Sequence, residues 1–211
     1  MKILLTGGAG FIGSNLADFL VKSDHDVVII DDFSTGKREN LSNCINKIEV
    51  IEEKVEDFDL SLLDGISSVV HLAAQASVPL SISNFKKSST TNLLSSLNIF
   101  DFCAQNELPL VYASSSAVYG EMELGDDDDR NVDLMTPYAV DKYALELYSE
   151  VLWKLKGLSS IGLRFFNVYG PRQDPSSPYS GVISIFIDKI LNQKEVSING
   201  GNQTRDFVYI E

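Results

Sequence analysis

Three serines, a tyrosine and a lysine have the residue types and the spacing for acid–base chemistry on an alcohol. Ser114–Ser116 directly follow an apolar run, and Tyr138 and Lys142 lie four residues apart, which places them on one face of a helix. A free phenol has a pKa of about 10 and is a poor base at pH 7, but a nearby ammonium favours the phenolate. We therefore expect Lys142 to lower the pKa of Tyr138, which then acts as general base and general acid. A serine hydroxyl in the same pocket can hold the substrate oxygen or relay the proton.

A Tyr-x-x-x-Lys pair alone is also common on exposed helices, so the elements that position it decide its meaning. The chain begins with MKILLTGGAGFIGS, in which a strand-like apolar run leads into glycines and then into apolar residues at helical spacing. Gly8, Gly10 and Gly13 fit G-x-G-x-x-G, and Gly7 with Gly10 and Gly13 fits G-x-x-G-x-x-G. At such a turn, free backbone N–H groups and the positive end of the helix dipole can hold a pyrophosphate.

A second apolar run, 27–30, ends in two aspartates about 20 residues after the glycines, where a carboxylate binds the adenosine ribose hydroxyls of a dinucleotide. Asp31 favours NAD over NADP, because its carboxylate would repel a ribose phosphate. Together the two strands predict dinucleotide binding rather than a plain turn. Hydride transfer from an alcohol carbon needs the removal of the hydroxyl proton, which Tyr138 can perform, and Lys142 can also bond the nicotinamide ribose.

Strand-like and helix-like segments alternate along the whole chain. Apolar runs predict strands at 3–6, 27–30, 48–52, 69–72, 110–113 and 160–165, and helical patterns cover 11–22, 84–106, 137–155 and 181–192. This alternation predicts an α/β fold, a Rossmann-type doubly wound parallel sheet with helices on both faces. Pro137, with Thr136 before it as a cap, marks the start of the helix that carries Tyr138 and Lys142.

The composition excludes several classes of partner. The chain has 211 residues, 44% of them hydrophobic, and a net charge of −13, which disfavours nucleic acid and anionic membranes. No run of 18 apolar residues predicts a membrane span. Cys44 and Cys103 predict free buried thiols in a reducing cytoplasm, and His25 and His71 lack metal-site spacing, so we expect no metal. The acidic run at 124–131 lacks the ligand spacing and the glycine of an EF-hand and is expected to be a solvated loop.

Six motifs distributed over the chain are TGGAGFIGS, HLAAQASV, SSSAVYG, PYAVDKYALE, LRFFNVYGPRQDP and TRDFVYIE. They resemble the extended short-chain dehydrogenases/reductases of the NAD-dependent epimerase/dehydratase family, and DDFSTGKREN is most similar to the UDP-glucose and UDP-N-acetylglucosamine 4-epimerases. The resemblance implies NAD as a tightly held catalyst, a UDP-sugar substrate, a transient 4-keto sugar and inversion of C4 without net redox change. It also implies a role in polysaccharide biosynthesis and a homodimer formed through a four-helix bundle of 84–106 and 137–155.

The resemblance further implies which residues act. Ser115, four residues before Tyr119, takes the family's position for the catalytic serine beside Tyr138 and Lys142, with Ser114 and Ser116 as second choices. The residues implied to bind NAD are Gly7, Gly10, Phe11, Ile12, Gly13, Asp31, Asp32, Ser34, Thr35, Gly36, Val55 through its backbone, Leu72, Ala73, Ala74, Gln75, Asn92, Tyr138, Lys142, Phe166 and Val168. Those implied to bind the UDP-sugar are Ser77, Ser115, Ser116, Tyr138, Asn167 and Arg205, the last on the diphosphate.

Related reactions stay open on the same scaffold. Dehydratases and decarboxylases that resemble this chain usually carry an acidic residue two positions before the tyrosine of the YG pair, where this chain has Ala117. Ala117 therefore favours epimerisation. Uronate 4-epimerases share the serine-rich motif and are a second hypothesis, and an NAD-binding protein without catalytic activity is a third.

Residues 1–170 are predicted to form the NAD-binding domain with the catalytic residues, and 171–211 the beginning of a small substrate lobe. QTRDFVYIE predicts an apolar strand that enters the core. Proteins of the family continue with the rest of that lobe, so we expect the chain by itself to bind NAD and to be weakly active or inactive. Apolar surface that the remaining lobe would cover is expected to promote self-association.

Overall fold

The computed structural model describes residues 1–122, 131–177, 180–198 and 200–211. The acidic run, interpreted above as a solvated loop, lies outside the described residues except for its last residue. Within the described ranges the chain forms β1 (Lys2–Thr6), α1 (Phe11–Lys22), β2 (Asp26–Ile30), β3 (Ile48–Ile51), β4 (Ser68–His71), α2 (Val78–Ser83), α3 (Phe85–Gln105), β5 (Leu110–Ser115), α4 (Pro137–Lys156), β6 (Ser160–Phe165), β7 (Asn167–Tyr169), α5 (Val182–Leu191) and β8 (Phe207–Tyr209).

Six parallel strands form the main sheet, in the order β3-β2-β1-β4-β5-β6. The strand order reverses between β1 and β4, because the chain runs outward to β3 and then crosses back. Thr6 at the end of β1 is level with Ile30 on β2 and with His71 on β4. The segments that follow these three strands therefore meet at one edge of the sheet, the place where open α/β sheets bind their ligands.

Both faces of the sheet are covered, because successive side chains of a strand point to opposite sides. On β1, Leu4 belongs to a buried cluster with Phe100 of α3 and Leu145 of α4. Ile3 and Leu5 belong to a second buried cluster, with residues of α1, on the opposite face. This arrangement confirms the predicted doubly wound α/β sheet.

The predicted strands and helices are all present, with bounds that differ by at most one or two residues. The sequence pattern did not indicate α2, which has six residues. Its start is marked by the Ser77 hydroxyl, which accepts a hydrogen bond from the Leu80 N–H at 3.1 Å, and by a proline in the first turn. Proline there is a start signal, but so short a helix has too few residues to show the 3.6-residue period.

The strand predicted from QTRDFVYIE forms, but the prediction that it enters the core is wrong. β8 pairs in parallel with β7 in a separate two-stranded sheet. Phe207, Val208 and Tyr209 are 42%, 50% and 46% exposed. Tyr169 on β7 contacts the rings of Phe207 and Tyr209, at centroid distances of 6.3 and 5.3 Å. An apolar run predicts a strand, but it specifies neither the pairing partner nor a covering layer.

The part of the chain that the structure describes has neither a membrane-spanning helix nor a cluster of metal ligands. None of its helices has the length and apolarity of a membrane span, and its His, Cys, Asp and Glu side chains form no group that could hold a metal ion. Cys44 and Cys103 are buried free thiols, as predicted. Burial raises the pKa of Cys44 to about 11 and that of Cys103 to about 12, so both stay protonated at neutral pH.

Candidate active site

The turn between β1 and α1 has the backbone geometry of an anion site. Gly7 has a φ of +69°, which glycine adopts without strain. A Cβ on Gly13 would lie 2.2 Å from the Gly7 carbonyl oxygen, so α1 packs directly against the turn. Gly10 is the N-cap of α1, no described side chain caps the helix, and its first turn has no acidic residue. The first N–H groups of α1 are therefore available to a negatively charged ligand, which the helix dipole also favours.

Asp31 ties the glycine turn to the loop after β2. Its Oδ2 accepts a hydrogen bond from the Ala9 N–H at 2.8 Å, and its Oδ1 accepts one from the Phe33 N–H at 2.9 Å. The residue is 7% exposed, and burial raises the pKa of its carboxyl group against the opposing effect of these two hydrogen bonds. Each carboxylate oxygen can accept a second hydrogen bond. Asp31 can thus bind a ribose hydroxyl while it holds the turn in place.

The loop after Asp31 closes beside the glycine turn. The Asp32 Oδ1 accepts hydrogen bonds from the Ser34 N–H at 2.9 Å and from the Ser34 hydroxyl at 2.6 Å. A Cβ on Gly36 would lie 2.8 Å from the Ala9 Cβ and 2.9 Å from the Asp31 Oδ1. The structure therefore brings the predicted ribose residues at 31–36 against the predicted pyrophosphate residues at 7–13.

The segment after β4 lies against the same turn. The Leu72 N–H donates to the Thr6 carbonyl at 3.1 Å, and the Ala73 N–H donates to the Thr6 hydroxyl at 3.2 Å. A Cβ on Gly7 would lie 2.7 Å from the Ala73 nitrogen, so only glycine permits this approach of the two backbones. The predicted residues 72–75 thus form a third wall of the same site.

Asn92 positions that third wall. Its Oδ1 accepts a hydrogen bond from the Gln75 N–H at 2.8 Å, and its Nδ2 donates to the Gln75 carbonyl at 3.2 Å and to the Asp141 carboxylate at 3.3 Å. Asn92 is 2% exposed. Because Asp141 directly precedes Lys142, this one buried amide links the segment after β4 to the helix that carries the predicted catalytic pair.

Ser115, Tyr138 and Lys142 converge where β5 ends and α4 begins. Ser115 is near enough to Tyr138 to favour its phenolate, and the Ser115 hydroxyl accepts a hydrogen bond from the Ala117 N–H at 3.1 Å. Lys142 is 3% exposed, its Nζ donates to the Ala113 carbonyl at 2.7 Å, and Nζ lies 5.8 Å from the centroid of the Tyr138 ring. One strand therefore supplies Ser115 and Ala113 and one helix supplies Tyr138 and Lys142, so the packing of α4 on β5 fixes the set.

Two hydroxyl groups fix the start of α4. The Thr136 Oγ1 accepts a hydrogen bond from the Ala139 N–H at 3.2 Å, as its predicted capping role requires. The Tyr138 N–H donates to the Ser81 hydroxyl at 3.3 Å. Ser81 is fully buried on α2 and was not predicted, because its contact with α4 joins residues 57 positions apart in the chain.

The electrostatics of the catalytic set differ from the expectation. Burial raises the pKa of Tyr138, the hydrogen bond with Ser115 opposes this effect, and Asp141 adds to it. The predicted lowering of the pKa of Tyr138 is therefore wrong in direction. Burial also lowers the pKa of Lys142 to about 8, against the opposing effect of Asp141. A buried site disfavours the charged form of both groups, which the four-residue spacing could not reveal.

His71 is a buried neutral imidazole beside this set. Its Nδ1 and the Thr6 hydroxyl share a hydrogen bond of 2.7 Å, and its Nε2 and the Ser96 hydroxyl share one of 2.9 Å. Burial, and secondly the charge of Lys142, lower the pKa of His71 to about 3. The sequence predicted His71 only as part of the strand at 69–72. Its two buried hydrogen bonds, which join β1 and α3 to that strand, were missed.

Because His71 is buried and neutral, the stability of the folded chain is expected to decrease as the pH falls. Its pKa is about 3 in the folded chain and about 6.5 in the unfolded chain, so below pH 6.5 only the unfolded chain takes up this proton. The contribution is complete above pH 6.5 and is lost as the pH falls toward 3. Between pH 7.5 and 5.0 this group is expected to lower the free energy of unfolding by about 2 kcal/mol, measured by urea denaturation. His71→Gln removes that decrease, whereas His25→Gln retains it; an unchanged decrease in His71→Gln would contradict the assignment.

Strand alternation distinguishes among the three serines. Ser114 is 2% exposed and its hydroxyl donates to the Glu146 carboxylate at 2.5 Å, on the side of β5 opposite to Ser115. Glu146 also accepts two hydrogen bonds from Arg164, at 3.0 and 2.7 Å. Ser116 begins the 3₁₀ turn that follows β5. Ser114 is therefore wrong as a second choice for the catalytic hydroxyl, because its hydroxyl is engaged with Glu146, whereas Ser115 affects the pKa of Tyr138.

Two of the predicted substrate residues, Asn167 and Arg205, lie near Asp206. The Asn167 N–H and its Nδ2 both donate to the Asp206 carbonyl, at 3.1 and 3.0 Å. Arg205 is exposed, and its guanidinium donates to the carbonyl of its neighbour Thr204 at 2.7 Å. The pairing of β7 with β8 therefore brings Asn167 to Asp206, the residue that follows Arg205.

Other predicted residues are placed differently. Ser77 is 4% exposed and its hydroxyl caps α2, so it supports the fold of the site. Val55 is 3% exposed with its side chain in the core, which leaves only its backbone for a ligand. Phe166 is 39% exposed and stacks on Tyr119 at a centroid distance of 6.1 Å, whereas Val168 is half-buried on β7.

A family model described as the NAD dependent epimerase/dehydratase family matches residues 3–211. The chain belongs to this family. Its match to UDP-glucose 4-epimerase of Mycolicibacterium smegmatis is 36% identical over 220 residues and covers 100% of this chain and 70% of the relative. This member of the epimerase/dehydratase family also matches, at 35% identity, UDP-N-acetyl-alpha-D-glucosaminuronate decarboxylase of Bacillus cytotoxicus, with coverage of 99% and 67%.

Solved structures show the same architecture for this epimerase/dehydratase. UDP-N-acetylglucosamine 4-epimerase from Methanobrevibacter ruminantium M1, in complex with UDP-N-acetylmuramic acid, superposes with a TM-score of 0.93 at 42% identity, over 99% of this chain and 69% of the other. UDP-glucuronic acid 4-epimerase from Bacillus cereus, in complex with UDP-glucuronic acid and NAD, gives a TM-score of 0.88 at 35% identity, over 100% and 69%. NAD is the cofactor of the family and of this chain.

Proposed function

We propose that the chain is a UDP-hexose 4-epimerase, which inverts C4 of UDP-glucose and UDP-galactose or of their N-acetylated counterparts. The observation that carries the proposal is the convergence of Tyr138 with the buried ammonium of Lys142, whose Nζ lies 5.8 Å from the centroid of the Tyr138 ring, at the end of the strand that carries Ser115. These groups serve an alcohol that must lose and regain its proton. Ala117 supplies no acid to the same pocket, which favours epimerisation over dehydration or decarboxylation.

The cofactor residues are proposed from the three walls at the edge of the sheet. Gly7, Gly10 and the first N–H groups of α1 at Phe11, Ile12 and Gly13 would hold the pyrophosphate. Asp31 would bind the adenosine ribose. The residues proposed around the rest of NAD are Asp32, Ser34, Thr35, Gly36, Val55, Leu72, Ala73, Ala74, Gln75, Phe166 and Val168, with Asn92 acting through Gln75 and with Tyr138 and Lys142 at the nicotinamide ribose.

In the proposed reaction, residues of the chain take one proton from the sugar hydroxyl and later return it. Ser115 would hold the sugar O4 while Tyr138 takes its proton, and Tyr138 would return that proton once C4 is inverted. The chemistry that bound NAD supplies is the reversible transfer of a hydride at C4. Since no net oxidation results, the cofactor has no need to leave between turnovers.

The sugar nucleotide would lie against β7 and β8. Asn167 lies on β7 and Arg205 lies two residues before β8, and a guanidinium matches the oxygens of a diphosphate in charge and geometry. Ser116 is half-buried next to Ser115 and would face the sugar. We propose that residues 171–211 begin the substrate lobe, and that 1–170 form the NAD-binding domain.

A uronate 4-epimerase is the second candidate, because the UDP-glucuronic acid 4-epimerase of Bacillus cereus shares the fold at 35% identity. Nuclear magnetic resonance of the protein incubated separately with UDP-glucose, UDP-N-acetylglucosamine and UDP-glucuronate distinguishes the two. The proposal expects the C4 epimer of one of the first two. Conversion of UDP-glucuronate alone would establish the second candidate, and loss of carbon dioxide or water would overturn both.

We further propose a homodimer that uses α3 and α4. Five apolar residues of α4 share one side of the helix and are between 45% and 76% exposed: Val140, Leu147, Tyr148, Val151 and Leu155. Light scattering is expected to give twice the mass of one chain for the wild type and the mass of one chain for Val151→Glu. Trp153→Glu is the control, because Trp153 is 62% exposed on the other side of α4 and is expected to leave the dimer intact. A monomeric wild type would contradict the proposal.

We also propose that the chain works in a reducing cytoplasm, which suits the buried free thiols of Cys44 and Cys103.

A further inference from the structure

Four residues after β7, Pro171–Asp174, connect that strand to α1 and to the loop after β2; we call this segment the strap. The Asn15 Nδ2 donates to the Pro171 carbonyl at 3.0 Å. The Arg172 Nη1 donates to the Ser14 carbonyl at 2.7 Å. The strap is therefore bonded to the second turn of α1, the helix whose first turn borders the glycine turn.

The Arg172 guanidinium also forms an ion pair with the Asp18 carboxylate. The two side chains are 18% and 10% exposed, and Asp18 accepts a further hydrogen bond from the Asn43 Nδ2 at 3.0 Å. Burial raises the pKa of Asp18, but the hydrogen bonds from Asn43 and Arg172 outweigh it and hold the pKa below its usual value. The pair is thus ionised and largely shielded from water, where an ion pair is held more firmly than on an open surface.

The backbone of the strap indicates that these contacts define its conformation. Arg172 has a φ of +70°, in the left-handed region that a residue other than glycine rarely adopts. Such a conformation persists only where surrounding contacts impose it. The bonds of Arg172 to Ser14 and Asp18 are contacts of this kind.

A second anchor holds the far end of the strap. The Asp174 carboxylate accepts a hydrogen bond from the Lys37 Nζ at 2.5 Å. Lys37 directly follows Gly36, and its N–H donates to the Ala9 carbonyl at 3.0 Å within the glycine turn. One anchor therefore lies on α1, which follows the residues proposed for the pyrophosphate, and the other lies on the loop after β2, next to the residues proposed for the ribose.

We propose that the strap retains the dinucleotide, with Arg172 as the residue that holds the strap closed across the site. NAD leaves only when the Arg172–Asp18 and Asp174–Lys37 pairs open. This inference depends on the proposed position of NAD at the glycine turn, but not on the identity of the reaction. It gives a physical basis for a cofactor that stays bound while one sugar after another is converted.

The test is the rate at which NAD leaves the protein. The chain is loaded with the fluorescent analogue 1,N6-ethenoadenine NAD and chased with excess NAD, and the fluorescence change gives the dissociation rate. Arg172→Met keeps the aliphatic stem and removes the guanidinium, and we expect dissociation about tenfold faster or more, because changes to a bound interface act mainly on the off-rate. Asp174→Asn, which alters only the second anchor, is expected to accelerate dissociation by a smaller factor.

Lys154→Met is the matched control, since it removes an exposed ion pair with Glu150 on α4, away from the strap. It is expected to leave the dissociation rate unchanged. An Arg172→Met rate equal to that of this control would overturn the proposal, and if Arg172→Met does not fold, an unchanged rate in Asp174→Asn would do so. Accelerated dissociation would support the strap whichever sugar the wild type converts, and loss of carbon dioxide or water from the sugar would count against the epimerase alone, whereas a chain that binds no dinucleotide would overturn both.

Discussion

Tyr138→Phe is expected to lower the turnover of the UDP-sugar by about 10³-fold and to leave NAD binding and stability close to wild type. The substitution removes one oxygen atom and keeps the ring, whose burial between β5 and α4 supports the packing of the site. That oxygen is the atom whose pKa burial raises and Ser115 lowers. Because it is the group proposed to take and return the proton of the sugar hydroxyl, nothing else in the described site can replace it in both directions.

The prediction is checked by the rate of C4 inversion under saturating UDP-sugar, together with the NAD content of the purified variant. Tyr143→Phe is the matched control: it is a half-buried tyrosine on the same helix, and its loss of a hydroxyl is expected to change the rate less than twofold. A Tyr138→Phe variant with wild-type turnover would contradict the proposed mechanism. A variant that lost NAD or unfolded would instead show that the hydroxyl has a structural role.

The features predictable from the sequence are those set by residues near each other in the chain. Ser115 was assigned from the resemblance to the family, whereas Gly7 and Gly13 lie within one turn and Tyr138 and Lys142 lie on one helix face. Each of these depends on local geometry, which a few residues determine. The alternation of apolar runs similarly determined the order of strands and helices, and hence the doubly wound sheet.

The features missed from the sequence join residues far apart in the chain. Ser81 bonds the start of α4 across 57 positions, and Arg172 meets Asp18 across 154. Spacing carries no signal for such contacts. The direction of the Tyr138 pKa was missed for a related reason, because it is set mainly by burial, which depends on every element packed around the ring.

Gly13→Ala is expected to have the second large effect, which is on the cofactor site. The added Cβ would lie 2.2 Å from the Gly7 carbonyl oxygen and 2.8 Å from the Gly8 Cα, both backbone atoms that cannot rotate away. Gly7 cannot yield, since its φ of +69° and its own contact with the Ala73 backbone already fix the turn. The start of α1 must therefore move away from the turn.

That movement is expected to weaken NAD binding by at least about 100-fold, because the N–H groups of α1 no longer converge on one anion position. It should also lower the free energy of unfolding by about 1–3 kcal/mol, as overpacking of a well-packed site does. Titration of the stripped protein with NAD and urea denaturation measure the two effects. Gly181→Ala is the control, since a Cβ there meets nothing nearer than the Gln173 Nε2 at 3.6 Å, and it is expected to leave both quantities nearly unchanged. Binding of NAD by Gly13→Ala as tightly as by this control would contradict the prediction. It would mean that α1 can shift without loss of NAD affinity, and that groups other than the N–H donors of the glycine turn hold the pyrophosphate.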